Sequence, residues 1–202
     1  GSDVNDRNAD GDTPLLSLTS NWNYGETNVI KLLLLAGANV NEKTDYGSTP
    51  FSLALAFKNN KEILKILLEN GADVKLDGQG GEFVTDSNLH TAASLLWDTD
   101  ILQLLIDEGL DVNILGVNGQ TPLHSVISSQ TAISQGFGAD SYNTVMFLLE
   151  KGADTSIKDD FGLTALDWTS DEAVKEKITT EIIDLLQMSS QTKKSNWPKS
   201  EL

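Results

Sequence analysis

Residues 101–124 read ILQLLIDEGLDVNILGVNGQTPLH, and three blocks within them decide the fold. The first is apolar at set offsets: Ile101, Leu102, Leu104, Leu105 and Ile106. The second is Gly109-Leu110-Asp111-Val112-Asn113, and the third is Thr121-Pro122-Leu123-His124. The apolar offsets cover more than half of a helix circumference, which predicts a helix sandwiched between neighbours rather than one lying on a surface. A glycine after such a run supplies the left-handed residue that ends a helix. Thr-Pro opens the next one, because the hydroxyl caps free N–H groups and proline sits where no N–H is missed.

The same blocks recur in both directions along the chain. The glycine block returns at Gly37-Ala38-Asn39-Val40-Asn41, Gly71-Ala72-Asp73-Val74-Lys75 and Gly152-Ala153-Asp154-Thr155-Ser156, giving steps of 34, 38 and 43 residues. The threonine block returns at Thr13-Pro14-Leu15, Thr49-Pro50-Phe51, Ser87-Asn88-Leu89-His90 and Thr164-Ala165-Leu166. From Gly to Thr or Ser the distance is 12 residues at 37, 109 and 152, and 16 at 71, so one connector is four residues longer. The apolar block reappears at Val29, Ile30, Leu32, Leu33 and Leu34, at Ile63, Leu64, Ile66, Leu67 and Leu68, and at Val145, Phe147, Leu148 and Leu149. The predicted unit is a turn, a short helix, a longer helix and a turn, stacked on copies of itself.

Three blocks held in phase over several copies resemble ankyrin repeats, whose signature includes T-P-L-H-x-A at a period near 33. The resemblance implies an all-α repeat solenoid of stacked helix-turn-helix units with β-hairpin-like connectors, five repeats over residues 3–188. Irregular repeat lengths resemble the bacterial members of that family. Gly1-Ser2 reads as an expression scar. Asp3-Val4-Asn5 precede Thr13 as Asn39-Val40-Asn41 precede Thr49, so the chain opens inside a connector and an upstream repeat, cap or signal segment is expected before it. In the fifth repeat Thr169 and Glu172 read as a capping box, Ile182, Ile183, Leu185 and Leu186 fill core offsets, and polar Gln187 suits a terminal cap. Two inserts break the period, a connector insert at about 75–86 and an inter-helix insert at about 128–141. The polar tail 189–202, with Trp197, is expected to be disordered.

Composition bounds the chemistry. The 202 residues hold 14 Lys plus Arg against 30 Asp plus Glu, a net charge of −16, which opposes binding to phosphate backbones and excludes nucleic acid as the expected partner. With no Cys and two His, thiol catalysis, thiolate zinc sites and disulfides are excluded, while the compartment stays open: a cytoplasmic setting is favoured, a secreted or periplasmic one follows if a signal segment was removed. No apolar run approaches the roughly 18 residues of a membrane span. Asp6-Arg7-Asn8-Ala9-Asp10-Gly11 opens like a calcium loop, but its twelfth position is Ser17 instead of Glu. Gly78-Gln79-Gly80-Gly81 lacks the spacing and the Lys-Ser/Thr of a phosphate cradle. His90 beside Thr91 and His124 beside Ser125 do not make nucleophile-base pairs, since adjacent helical residues point apart. The resemblance assigns both histidines to hydrogen bonds between connectors. No catalytic residue, cofactor or metal site is therefore expected.

Charge supplies the functional clue. Leu76 to Glu150 contains no Lys or Arg and ten acids, among them Asp77, Glu82, Asp86, Asp98, Asp100, Asp107, Glu108 and Asp111. A field of one sign suits steering of a cationic partner. The resemblance further implies that connector tips and short helices form the recognition surface. Its tip positions here are Ala9, Asp10 and Asp12; Asp45, Tyr46 and Ser48; Val117, Asn118 and Gln120; and Asp160, Phe161 and Leu163. Tyr46 and Phe161 are the expected anchors, since desolvated aromatics concentrate binding energy; Trp22 and Tyr24 in the first repeat's inter-helix loop are further candidates. The expected binding surface comprises Asp10, Asp12, Asp45, Tyr46, Ser48, Asp77, Glu82, Phe83, Asp98, Asp100, Asn118, Gln120 and Phe161. Its expected ligand is another protein, a basic one by charge, bound by an adaptor or scaffold; the alternative is an acidic inhibitor or immunity-type protein masking a basic enzyme. Oligomeric state does not follow from the sequence.

Overall fold

A computed structural model describes residues 3–20, 27–56, 60–75, 86–96, 98–131, 139–169, 175–176 and 179–180. Helices alternate short and long: α1 Pro14–Thr19, α2 Thr27–Leu35, α3 Pro50–Leu55, α4 Lys61–Glu69, α5 Asn88–Thr91, α6 Thr99–Asp107, α7 Pro122–Thr131 and α8 Ala139–Glu150. The short helices stack in order, α1 on α3, α3 on α5 and α5 on α7, while α2 meets α4 and α6 meets α8. This is the expected helical solenoid, and no β-strand is present among the described residues.

Local chemistry sets each boundary. Thr13 and Thr49 accept from the N–H groups of Leu16 (3.4 Å) and Ser52 (3.2 Å), and Ser52 Oγ accepts in return from Thr49 N–H at 2.9 Å. Each hydroxyl meets a donor that the first turn leaves without an intrahelical partner. At the other end of α4, Gly71 takes φ +86°, a conformation that costs a residue with a Cβ. That turn lets Gly71 N–H reach Leu68 O (2.9 Å) and Ala72 N–H reach Leu67 O (3.0 Å), closing the last carbonyls of the helix.

The core runs through the stack as one cluster that includes Leu15, Ile30, Phe51, Leu55, Leu67, Leu89, Leu102, Leu105, Leu123 and Leu148, each fully buried. Burying a side chain of this size contributes about 1.5–3 kcal/mol. Phe51→Ala should cost about 3–5 kcal/mol, read by urea denaturation.

Three features differ from the regular unit. In repeat three Asn88 stands where proline begins the other short helices, and α5 continues into a π turn, Ala92–Leu96. In repeat five Ala165 takes that place and the short helix is a 3-10 turn, Ala165–Trp168. In repeat four α7 runs to Thr131 and α8 starts at Ala139, so both ends of the inter-helix insert are helical. Not every long helix is sandwiched, either. Val29 and Leu32 of α2 are exposed, because among the described residues no earlier helix pair lies against that side, and Leu35 is exposed at a position where Glu69, Asp107 and Glu150 are exposed in the later repeats. The Glu172 and Ile182–Gln187 readings, residues 76–85, Trp22, Tyr24 and the tail with Trp197 lie outside the described residues.

Candidate functional site

The connectors form one edge of the stack. Each described connector tip closes on a pair of backbone bonds: Asn8 N–H to Asp12 O (2.9 Å) with Gly11 N–H to Asn8 O (3.1 Å), Thr44 to Ser48 with Gly47 to Thr44 (both 2.9 Å), Gly116 to Gln120 (2.8 Å) with Gly119 to Gly116 (3.2 Å), and Asp159 to Leu163 with Gly162 to Asp159 (both 2.9 Å). Lys158 and Thr164 add an antiparallel bridge. Polar side chains then fold back on the loop. Asn8 Oδ1 accepts from Asp10 and Asp12 N–H (2.9 and 3.0 Å), and Asp159 Oδ1 from Phe161 and Leu163 N–H (both 3.0 Å). The calcium-like hexapeptide is thus a connector turn whose Asn8 oxygen is taken by backbone donors, with the Arg7 guanidinium on the Gly11 carbonyl.

Asparagines tie one connector to the next. Asn5 donates from Nδ2 to Gly37 O (3.1 Å) and accepts Asn39 N–H (2.8 Å). Asn41 does the same to Gly71 O (3.0 Å) and Asp73 N–H (2.8 Å), and Asn113 to Gly152 O (3.2 Å) and Asp154 N–H (2.8 Å). Each carboxamide satisfies a carbonyl and an amide at the start of the neighbouring connector, so repeat follows repeat in fixed register. Sequence reasoning quoted these residues within the glycine block without seeing their role. The signal was there, an Asn four residues after Gly in two of four blocks, but the partners lie 30 to 41 residues away.

The histidines act between connectors as the resemblance implied. His90 Nε2–H donates to Gln120 O (2.9 Å), while Nδ1 accepts from Ser87 Oγ (2.8 Å) and N–H (3.2 Å). His124 repeats this with Leu163 O (3.2 Å) and Thr121. A carbonyl only accepts, which assigns the proton to Nε2. Burial pushes the His90 imidazole below its ordinary range, against the opposing pull of the Gln120 carbonyl and Asp86. Burial also pushes Asp159 upward, yet donation from Leu163 and Phe161 N–H and the Trp168 indole (2.8 Å) holds it below the usual carboxylate range.

This frame brings the tip residues together in pairs. Asp10, Asp12, Asp45, Tyr46 and Ser48 lie on the first two tips: a Cβ at Gly11 would lie 3.1 Å from Asp45 Oδ2, and Arg7 crosses from the first connector to Glu42 and to Lys43 O. Tyr46 is 91% exposed. Asn118, Gln120 and Phe161 lie on the last two, joined by Asp160 N–H to Asn118 O at 2.9 Å. Asn118 holds φ +57°, a left-handed conformation tolerated by asparagine. Phe161 is 63% exposed, with its ring edge-on to Trp168 at 6.3 Å.

Other expected surface residues do not join them. Asp77, Glu82 and Phe83 lie outside the described residues. Asp98 and Asp100 open α6, at the far end of the helix pair from the connectors, where Asp98 Oδ1 caps Asp100 N–H at 2.9 Å. The expectation that nothing offsets the acids of residues 76–150 needs correcting there. Lys61, at the start of α4, reaches Asp98 (3.4 Å) and Asp100 (2.5 Å), because stacking brings a cation of one repeat over acids of the next. Its hydrogen bond to Asp100 holds that carboxyl below the usual range. Among the described residues no three His, Cys, Asp or Glu side chains are grouped as metal ligands, and no helix is long and apolar enough to cross a membrane.

Comparison with known families completes the description. A family model described as ankyrin repeats (3 copies) matches residues 1–77, and one described as ankyrin repeat matches residues 118–160. Together they span more than half of the chain. No curated protein matches it.

Proposed function

This chain belongs to the ankyrin repeat family, whose repeats are generally protein–protein interaction modules, and on that premise we propose that it is a non-enzymatic adaptor or scaffold that holds a basic protein segment along its connector tips. The observation that carries this reading is the exposure of Tyr46 and Phe161 on loops tied down by the Asn and Asp hydrogen bonds above. Aromatic side chains held in place before binding lose little freedom on contact, so more of their contact energy appears as affinity. Asp45 and Asp160 directly precede them in the chain and Asp10 and Asp12 lie on the tip next to that of Tyr46, and carboxylates on the same tips as aromatic side chains suit Lys or Arg from the partner. Asp98 and Asp100 are secondary in this reading, being turned to Lys61.

The test is binding of a partner captured on the immobilised chain at low salt, compared with Tyr46→Ala, Phe161→Ala and an Asp10, Asp12, Asp45 to Asn variant. Loss of a hot-spot aromatic costs about 2 kcal/mol or more, roughly thirtyfold in Kd. A partner that binds all three variants like the parent refutes the tip surface. The net charge of −16 also favours a second reading, an acidic inhibitor masking a basic enzyme. Stoichiometric loss of the partner's catalysis would select it, whereas an adaptor leaves catalysis intact.

A further inference from the structure

The connector tip from Gly116 to Gln120 lacks a clasp that the other described tips share. At their first position a side chain turns back onto the loop: Asn8 Oδ1 accepts from Asp10 and Asp12 N–H, Thr44 Oγ1 from Ser48 N–H (3.1 Å), and Asp159 Oδ1 from Phe161 and Leu163 N–H. Gly116 has no side chain to do this, because the Asp86 carboxylate and the His90 ring fill the space a Cβ would need. Asp86 Oδ1 accepts Val117 N–H at 3.0 Å, which leaves Asn118 N–H and the Asn118 carboxamide without partners among the described residues. Asn118 is exposed, and among those residues it alone takes a positive φ (+57°) without being glycine. Gly119 follows at φ +68°, where Asp160 Oδ1 stands 2.7 Å from the place of a Cβ. The left-handed turn favours asparagine at 118, and the close approach of the next connector requires glycine at 119. The fold thus dictates an Asn-Gly step on a tip without its own clasp.

We infer that Asn118 is a modification site, where water converts the carboxamide to a carboxylate through a cyclic imide. Gly119 N attacks Asn118 Cγ: the N–Cγ bond forms, the Cγ–Nδ2 bond breaks, and the Gly119 amide proton leaves with Nδ2 as ammonia. Water then adds across one imide C–N bond. Opening on the Cγ side yields aspartate, and opening on the side of the backbone carbonyl yields isoaspartate, whose main chain runs through Cβ and Cγ. Glycine hinders this attack least, having no Cβ. Gly119 N–H is bound to Gly116 O at 3.2 Å, so the tip opens locally before reacting. Both products add a negative charge. Aspartate keeps the backbone and tolerates the left-handed region. Isoaspartate displaces the carbonyl that accepts Asp160 N–H at 2.9 Å, the bond that joins this tip to the one carrying Phe161. The site stands on local geometry and not on the partner reading, although its products alter the proposed surface.

Asn70-Gly71, the other Asn-Gly step of the chain, supplies an internal control. There the carboxamide is held on Ile66 O (2.8 Å), Gly71 N–H on Leu68 O (2.9 Å), and Gly71 O by Asn41 Nδ2 (3.0 Å). The test incubates the full chain at neutral and mildly alkaline pH, in buffer and in urea, and follows both asparagines by peptide mapping with mass spectrometry. In the folded chain Asn118 should convert at least about tenfold faster than Asn70, which must also release its carboxamide and the Asn41 clamp. In urea the two should convert at one rate, because the dipeptide is the same and only the fold distinguishes them. Alkaline pH should speed both, since the attacking nitrogen must lose its proton. Hydrogen exchange at the Asp160 amide should quicken in the isoaspartate fraction and stay slow in Asn118→Asp, which keeps the parent backbone. A folded-state ratio no larger than the ratio in urea overturns the inference. So does an Asn118 that remains an amide in the folded chain while both asparagines convert in urea.

Discussion

Between repeats three and four the asparagine tie is replaced: Lys75 occupies the position held by Asn5, Asn41 and Asn113. The backbone is already suited to asparagine. Lys75 N–H donates to Asp73 Oδ1 at 2.9 Å, the same turn made by Asn5 and Asn113 N–H on Asp3 and Asp111 (2.9 Å each). The Lys75 side chain also lies where a carboxamide would, its Nζ 3.1 Å from a Cβ built on Gly109. Lys75→Asn should therefore bridge Gly109 O and Asp111 N–H. Each such hydrogen bond is worth about 0.5–1.5 kcal/mol net, so two offer about 1–3. Ordering the new side chain and losing the lysine stem take part of that back, leaving about 1 kcal/mol. For a chain of this size that raises Tm by about 2–4 °C. Stacked repeats can open locally, so hydrogen exchange at the Asp111 amide is the sharper assay. It should slow toward the rates of Asp73 and Asp154, whose amides are already held by Asn41 and Asn113. Asn41→Ala is the reverse control and should lose about 1–2 kcal/mol. The reasoning fails if Asn41→Ala destabilises as expected while Lys75→Asn leaves both Tm and Asp111 exchange unchanged.

Gly116 shows a close approach instead of a turn. A Cβ there would run into Asp86 Oδ1 and lie 2.9 Å from the His90 ring, so Gly116→Ala should cost about 1–3 kcal/mol in urea denaturation. Stability should also fall with pH in two steps. His90 has a folded pKa lowered from 6.5, so the unfolded chain takes the proton first: its contribution is complete above 6.5 and is lost below it, a slope that His90→Gln should flatten. Asp154, Asp159 and Asp167 are lowered from 3.8, and what they add is lost only as pH falls through their folded values in a second, more acidic window. Finally, Lys61→Gln should return the Asp100 carboxyl toward its ordinary range, followed by NMR titration.

What the sequence made legible was whatever repeats locally. Thr49-Pro50 and the glycine after each long helix mark boundaries by capping and backbone conformation, which neighbouring residues alone decide. Tyr46 and Phe161 were legible as tip residues because their offset from the glycine block is constant. The histidine ties were legible through the family resemblance, but the asparagine and lysine ties across repeats were not. Lys61 reaches Asp98 and Asp100 over 37 and 39 positions, and a charge count by stretch of chain assigned them to opposite camps. The open face of α2 was misread for a related reason. An apolar pattern states what a helix can bury, and only the stack states which side has a neighbour.

Trp168 carries a consequence for measurement. Its indole N–H is fixed on the Asp159 carboxylate while its ring meets Phe161, so an indole sits one side chain away from a proposed contact point and shares a carboxylate with the loop that holds it. A ligand that covers Phe161 would alter the dielectric around that ring and the field along its N–H. The fifth repeat therefore contains its own optical reporter, and occupancy of this tip could be followed by intrinsic emission without attaching a dye.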